Sequence, residues 1–169
     1  MSNSSFDNFQ LPNPLLVELY KNSLIDLEQP QSIQHSLNES NPVKLGHFSK
    51  KILILVNEPE DLHVNDVDLQ FLTGILNACQ WSLADIALMN LSSNLGWTWS
   101  HAIQHFQPVL SVGFGMSEIE SNAVGALSHY RTTTFNQTNI IAANRLSLLA
   151  QLPEEKKALW GCLKSELNR

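Results

Sequence analysis

The chain has 169 residues, of which 43% are hydrophobic, and it carries 10 Lys and Arg against 16 Asp and Glu. A chain of this length forms one domain with a full core. No Lys or Arg occurs from Ile52 to Tyr130, and that stretch holds the acids Glu58, Glu60, Asp61, Asp66, Asp68, Asp85, Glu118 and Glu120. Because nucleic-acid binders neutralise phosphates with clustered basic residues, this stretch argues against direct DNA binding by a broad surface.

The composition also argues against membrane, secreted and metal-cluster proteins. There is no run of about 18 apolar residues that could span a membrane. The N-terminus has neither the basic start nor the apolar core of a signal peptide. The two cysteines, Cys79 and Cys162, are too few for the usual four-ligand zinc or iron–sulfur site. We therefore expect a cytoplasmic protein with no membrane contact, no metal and no cofactor.

Residues 1–45 are predicted to form a tail, a short helix and a linker ahead of an α/β domain over residues 46–169. Apolar residues follow Pro12 and Pro14 at helical spacings, and Pro14 is tolerated in a first helical turn. The Gln, Asn, Ser and Pro content from Glu28 to Pro42 is typical of a linker. The short helix either braces the domain or orders on a partner.

The body of the chain alternates between predicted strands and helices. Continuous apolar runs predict buried strands over residues 51–56, 86–91 and 108–115, and two shorter strands follow over 130–135 and 139–143. Helices are predicted over 66–79 with Asn65 as the N-cap, over 97–106, after Ser117 and from Pro153. The buried stripe of the first of these helices is predicted to contain Val67, Phe71, Ile75 and Leu76. This alternation predicts a three-layer αβα fold with a mostly parallel sheet of four to five strands.

The ends of the predicted strands supply candidates for a ligand cleft, because open parallel sheets bind ligands beyond their carboxyl edge. The candidates are Asn57, Glu58, Asn90, Gly113, Gly115, Asn144 and Arg145. The acids around Glu58 fit either a Mg²⁺ site or a solvated loop. The Gly113-Phe114-Gly115 sequence lacks the third glycine and the lysine of phosphate-binding loops, so a tight turn is favoured.

Two further groups of side chains suggest chemistry only weakly. His101 and His105 are one helical turn apart and could share a metal ion, but the sequence indicates no third ligand. Trp97 and Trp99 could stack on bases, but no basic residue lies near them in the sequence. Packing or a protein interface is therefore favoured for the two tryptophans.

The order of motifs from residue 50 to 167 resembles the uracil-DNA glycosylase family. A buried strand ends in Asn57-Glu58-Pro59, a second ends in Asn90, and Asn144-Arg145-Leu146 precedes a Leu-Leu pair and a Pro-led helix. The resemblance implies the glycosylase fold, with Glu58 in the first loop and Asn90 as the asparagine that reads the base. It also implies that Asn144 stands where the His-Pro-Ser loop has its catalytic histidine. Because asparagine offers no imidazole and Leu146 replaces the serine, the resemblance favours a protein that is not an enzyme.

The psi-subunit family of the bacterial DNA polymerase III holoenzyme is similar in outline and is not catalytic. The shared features are an N-terminal peptide, an acidic or Pro-containing loop after the first strand, and Ala158-Leu159-Trp160 in the last helix. This resemblance implies a protein–protein adaptor of replication or repair whose partners are clamp-loader or other replication proteins.

The residues expected to contact a partner are Leu15, Leu16, Leu19, Tyr20, Leu24, Trp97 and Trp99. Two alternatives stay open. One is a divergent uracil-DNA glycosylase-type enzyme that acts through Glu58, Asn90 and Asn144. The other is a domain that binds a nucleotide or another small ligand.

Overall fold

A computed structural model describes residues 41–125 and 127–167 of the chain. The predicted N-terminal helix, with Leu15, Leu16, Leu19, Tyr20 and Leu24, lies outside the described residues. In the part of the chain that is described, no helix is long and apolar enough to cross a membrane.

Strands and helices alternate through the described residues, as the apolar runs predict. In chain order they are β1 (Ile52–Val56), α1 (Asp66–Ala78), β2 (Ile86–Asn90), α2 (Trp99–Phe106), β3 (Leu110–Phe114), α3 (Glu118–Ala123), β4 (Thr132–Phe135), β5 (Thr138–Ala143), α4 (Leu146–Leu149) and α5 (Pro153–Leu167). Of these, α4 is a single short turn that the sequence does not predict. The N-cap of α1 is confirmed, since the Asn65 side chain accepts a hydrogen bond from the backbone N–H of Asp68 at 2.9 Å.

The five strands form one sheet in the order β2-β1-β3-β5-β4. The pairs β1–β2, β1–β3 and β3–β5 are parallel, and only the edge strand β4 is antiparallel to its neighbour. In the parallel register, Val56 lies opposite both Asn90 and Phe114, and Phe114 lies opposite Ala143. Four strands therefore end at the same level, and their carboxyl ends form one edge.

Helices cover both faces of the sheet, which explains why β1, β2 and β3 are buried along their whole length. Ile54 and Val56 of β1 pack into a core cluster with residues of α1, α4 and α5. Leu53 and Leu55, which point the other way, pack into a second cluster with residues of α2. The fold is thus an α/β sheet flanked by helices, consistent with three αβα layers.

The buried stripe predicted for α1 is partly wrong. Leu72 and Leu76 are the apolar residues of this helix that reach the core fully, whereas Phe71 and Ile75 are half-buried. Val67 is 75% exposed. Apolar residues lie on two adjacent stripes of α1, and periodicity alone does not tell which of them faces the sheet.

Trp99 is a core residue, so the expectation that it contributes to a partner surface is wrong. Its side chain is fully buried, and its Nε1 donates a hydrogen bond to Ser111 Oγ at 2.9 Å. A Cβ atom on Gly113 would lie 2.5 Å from the Trp99 ring, so only glycine fits beneath the indole. The helix begins here because Thr98 caps it, accepting a hydrogen bond from the backbone N–H of His101 at 3.3 Å.

Trp97 precedes α2 and is half-buried. Its ring contacts the ring of His105 edge-on, with the centroids 5.1 Å apart. Trp97 therefore retains some exposed surface, in contrast to Trp99.

The close packing at Gly113 predicts a stability effect. We expect Gly113→Ala to lower the free energy of unfolding by about 1–3 kcal/mol, because the added methyl group overpacks the Trp99 ring. Gly74→Ala is the matched control: a Cβ at Gly74 in α1 would meet nothing within 4 Å. That variant should gain about 0.5–1 kcal/mol from the higher helix propensity of alanine. Urea unfolding measures both, and a Gly113→Ala variant as stable as the native chain would contradict the packing.

Candidate functional site

The carboxyl edge of the sheet contains a topological switch point between β1 and β3. From β1 the chain crosses to β2 on one side, and from β2 it returns across β1 to β3 on the other. The loop after β1 leads to α1, which packs on one face of the sheet, while Met116 after β3 packs in the cluster on the opposite face. Diverging loops of this kind leave a crevice where α/β proteins bind ligands, so the candidate site begins here.

Asn90, at the end of β2, ties the loop after β1 to the loop after β2. Its side chain is fully buried, and its Oδ1 accepts hydrogen bonds from the backbone N–H groups of Glu58 at 3.0 Å and Ser92 at 3.1 Å. Its Nδ2 lies 2.7 Å from the carbonyl oxygens of both Glu58 and Asp61 and 3.1 Å from Ser93 Oγ. The amide is fully used within the protein, so it is not available to read a base.

Two serines complete this network of loop contacts. The Ser92 hydroxyl donates a hydrogen bond to Asn57 Oδ1, and the Ser93 hydroxyl donates one to the carbonyl oxygen of Asp61 at 2.8 Å. Asn57 is thus held as Asn90 is, by a partner inside the protein. The network fixes the backbone on both sides of Glu58.

Glu58 is the carboxylate among the candidate cleft residues, and its surroundings raise its pKa. Burial raises its pKa, the charge of Arg145 opposes that rise, and the carboxylates of Asp68, Asp61 and Glu60 raise the pKa further. Of the four charged groups in the described part of the chain that act on Glu58, three are therefore acidic. A carboxyl group in such surroundings would repel a phosphate backbone.

Gly115 and Arg145 meet at the ends of β3 and β5. Gly115 has a φ of +66°, and a Cβ atom there would lie 2.4 Å from Arg145 Cγ. The glycine is needed both for the left-handed backbone and for the close passage of the arginine stem. Gly115 and Arg145 thus pack together beside the switch point, and the charge of Arg145 acts on the pKa of Glu58. Gly113, in contrast, lies under Trp99 inside the core.

Asn144 belongs to a cluster with Tyr130 and Glu155. Its Nδ2 donates a hydrogen bond to Glu155 Oε2 at 2.7 Å, and its backbone N–H lies 3.3 Å from the Tyr130 hydroxyl. The Tyr130 hydroxyl donates to the same Glu155 oxygen. Asn144 therefore joins the end of β5 to the first turn of α5, which is a structural role.

Burial and hydrogen bonds set the ionisation of this cluster. Burial, together with the hydrogen bond to Glu155, raises the pKa of Tyr130 to about 12. The hydrogen bonds from Tyr130 and Asn144 lower the pKa of Glu155. Near neutral pH the cluster holds a neutral phenol against a carboxylate.

The described residues contain no group of three or more His, Cys, Asp or Glu side chains placed to hold a metal ion. The acids around Glu58 and the pair His101 and His105 are thus not assembled into a metal site within that part of the chain. Both histidines lie on exposed positions of α2.

The sequence indicates that the strand ends meet but not how their side chains are used. It brings Asn57, Glu58 and Asn90 together correctly, and it misses Tyr130 and Glu155. The pairing of Asn144 with Glu155 depends on how α5 returns to the sheet, for which no local signal exists.

No model of a known protein family matches the chain, and no curated protein matches it.

The buried Asn90 amide predicts a large loss of stability on its removal. Asn90→Ala should lower the free energy of unfolding by about 2–4 kcal/mol, because several buried backbone groups lose their partner at once. Asn77→Ala, at an exposed position of α1, is the matched control and should change the free energy by less than about 0.5 kcal/mol. Urea unfolding measures both; equal, small changes would show that Asn90 does not hold the loops.

The raised pKa of Tyr130 predicts a loss of stability at alkaline pH. Folding favours the protonated phenol, so this stabilisation is complete below the ordinary pKa of 10.0 and is lost as pH rises towards about 12. The native chain should be more stable than Tyr130→Phe below pH 10, and the difference should shrink above it. Urea midpoints of the two proteins across this range test the point. A difference that stays constant up to pH 12 would contradict it.

Proposed function

We propose that this chain is a non-catalytic protein–protein adaptor of the replication or repair machinery, similar in role to the psi subunit of bacterial DNA polymerase III holoenzyme. One observation supports this most. The side chains at the expected catalytic positions, Asn90 and Asn144, are bound to other parts of the same chain. A side chain whose hydrogen bonds connect parts of the fold cannot also bind or activate a substrate without losing those hydrogen bonds.

The charge at the strand ends also supports an adaptor. Glu58 lies among acidic neighbours, and Arg145 is the one basic group of the described residues that acts on it. A base-excision enzyme binds the DNA backbone beside the flipped base, and binding to the phosphates depends on basic side chains. An acidic edge is better suited to a protein partner than to DNA.

The Ala158-Leu159-Trp160 motif in α5 supports the same proposal. Leu159 is 2% exposed and packs in the core, whereas Trp160 beside it is 38% exposed. A large aromatic side chain left partly in water is typical of residues that anchor protein interfaces. The resemblance to psi subunits includes this motif, and here its tryptophan remains accessible.

A divergent base-excision enzyme is the second candidate, and Glu58 favours it. This carboxyl group has a pKa raised by burial and lies at the switch point with Arg145. A carboxylate in that position could orient an attacking water.

A base-release assay separates the two candidates. We expect no release of base from DNA that contains uracil or hypoxanthine, even with protein at stoichiometric amounts, and no difference between the native chain and Glu58→Ala. The intact chain, used as bait, should recover clamp-loader or other replication proteins from its native host. Release that is lost in Glu58→Ala would establish the enzyme instead. Failure to recover any replication protein would count against the adaptor.

A further inference from the structure

An open apolar groove of about 630 Å³ runs between α1 and α5. One face of α1, from Val67 to Ala78, forms one side of the groove, and one face of α5, from Lys156 to Leu163, forms the other. On both helices the lining residues recur at intervals of three and four. At the usual helical rise of about 1.5 Å per residue, the lining face of α1 is about 17 Å long and that of α5 about 10 Å long.

The floor of the groove is apolar and has room for an incoming side chain. Leu159 and Leu163 lie at its base and are each 2% exposed, while Val67 on the rim is 75% exposed. A Cβ atom on Gly74 would meet nothing within 4 Å. A glycine inside a helix costs about 0.5–1 kcal/mol relative to alanine, and none of the neighbours that the structure describes requires it. Its effect is to leave open space in the middle of the groove.

One positive charge is fixed in the groove. Among residues 41–125 and 127–167, Lys156 is the only charged residue that lines it. The Lys156 Nζ atom lies 5.9 Å from the centroid of the Phe71 ring and donates a hydrogen bond to the carbonyl oxygen of Ala150 at 3.0 Å. The ammonium group is thus held beside apolar surface, and it can still pair with an acceptor from outside.

We propose that this groove binds an amphipathic helix of a protein partner, with apolar residues at i, i+3, i+4 and i+7 and a carboxylate placed to pair with Lys156. Two ridges of side chains, one on each helix, bound the kind of groove into which a third helix packs. Gly74 accepts a large apolar side chain at the centre, and Trp160 covers one flank. The carboxylate complements the single charge. This inference rests on the proposed adaptor function and assigns it a surface.

The probe is a fluorescein-labelled synthetic peptide of about three helical turns, with leucines at that spacing and a glutamate at each end. A second peptide carries lysines in place of the glutamates. Fluorescence anisotropy with the intact chain measures the affinity of each. The glutamate peptide should bind about two- to fivefold more tightly, as expected for an exposed ion pair, and Lys156→Glu should reverse the order.

Gly74→Leu tests the floor of the groove. The leucine fills the open space, so the affinity of the glutamate peptide should fall about tenfold or more. Gly161→Leu is the matched control. Gly161 is also exposed within a helix, and its Cβ would meet nothing within 4 Å, but it does not line the groove. This variant should bind the peptide within about twofold of the native chain, and both variants should remain folded because leucine favours helix.

Several results would overturn the proposal. One is the absence of binding by either peptide, and another is equal loss of binding in Gly74→Leu and Gly161→Leu. Dimerisation that Gly74→Leu abolishes, measured by sedimentation, would assign the groove to a second copy of the chain. Tighter peptide binding after Leu16→Asp together with Leu19→Asp would assign it to the N-terminal segment.

The adaptor function and the groove fail in different ways. If the native chain and Gly74→Leu recover the same replication proteins from the host, the adaptor stands and the groove is not its surface. If the native chain recovers none, the adaptor fails, and the peptide assay still decides whether the groove binds a helix.

Discussion

The hydrogen bonds of the buried Asn90 side chain are the constraint on which the carboxyl edge of the sheet depends. A parallel sheet covered on both faces brings the starts of its loops to one edge, where backbone groups lose contact with water and need partners inside the protein. Asn90 supplies partners to Glu58, Asp61 and Ser92 at once. The loops after β1 and β2 are thereby joined, and Glu58 is held at the switch point with Arg145.

This use of the strand ends divides the molecule into two regions with different properties. At the carboxyl edge, polar side chains form hydrogen bonds within the protein. Most of the charged groups around Glu58 are acidic. Apart from Gln70 and Lys156, the described side chains that line the groove between α1 and α5 are apolar. The polar groups at the carboxyl edge are bonded within the protein, whereas the apolar groove between α1 and α5 is open. This contrast favours contact with a protein over chemistry on a nucleic acid.

The fold class was predictable because its signals are local. Strands buried on both faces give continuous apolar runs, and Asn65, Ser117 and Pro153 mark helix starts by short-range chemistry. The roles of Asn90, Trp99 and Asn144 were not predictable, since each depends on which residues the chain topology brings next to that side chain. Val67 is instructive. Val67 was predicted to face the core because of its apolar spacing on α1, but it faces away from the sheet. It lines the groove instead.

Site-specific photo-cross-linking tests the central claim, that the chain works by protein contact through its α1–α5 face. A photoreactive residue replaces Val67 on the rim of the groove or, as a control, Val109, which is 60% exposed and lies outside the groove. In the native host, Val67 should cross-link to a replication or repair protein that mass spectrometry identifies, and Val109 should not. The same proteins cross-linked at both positions, or none at Val67, would contradict the account.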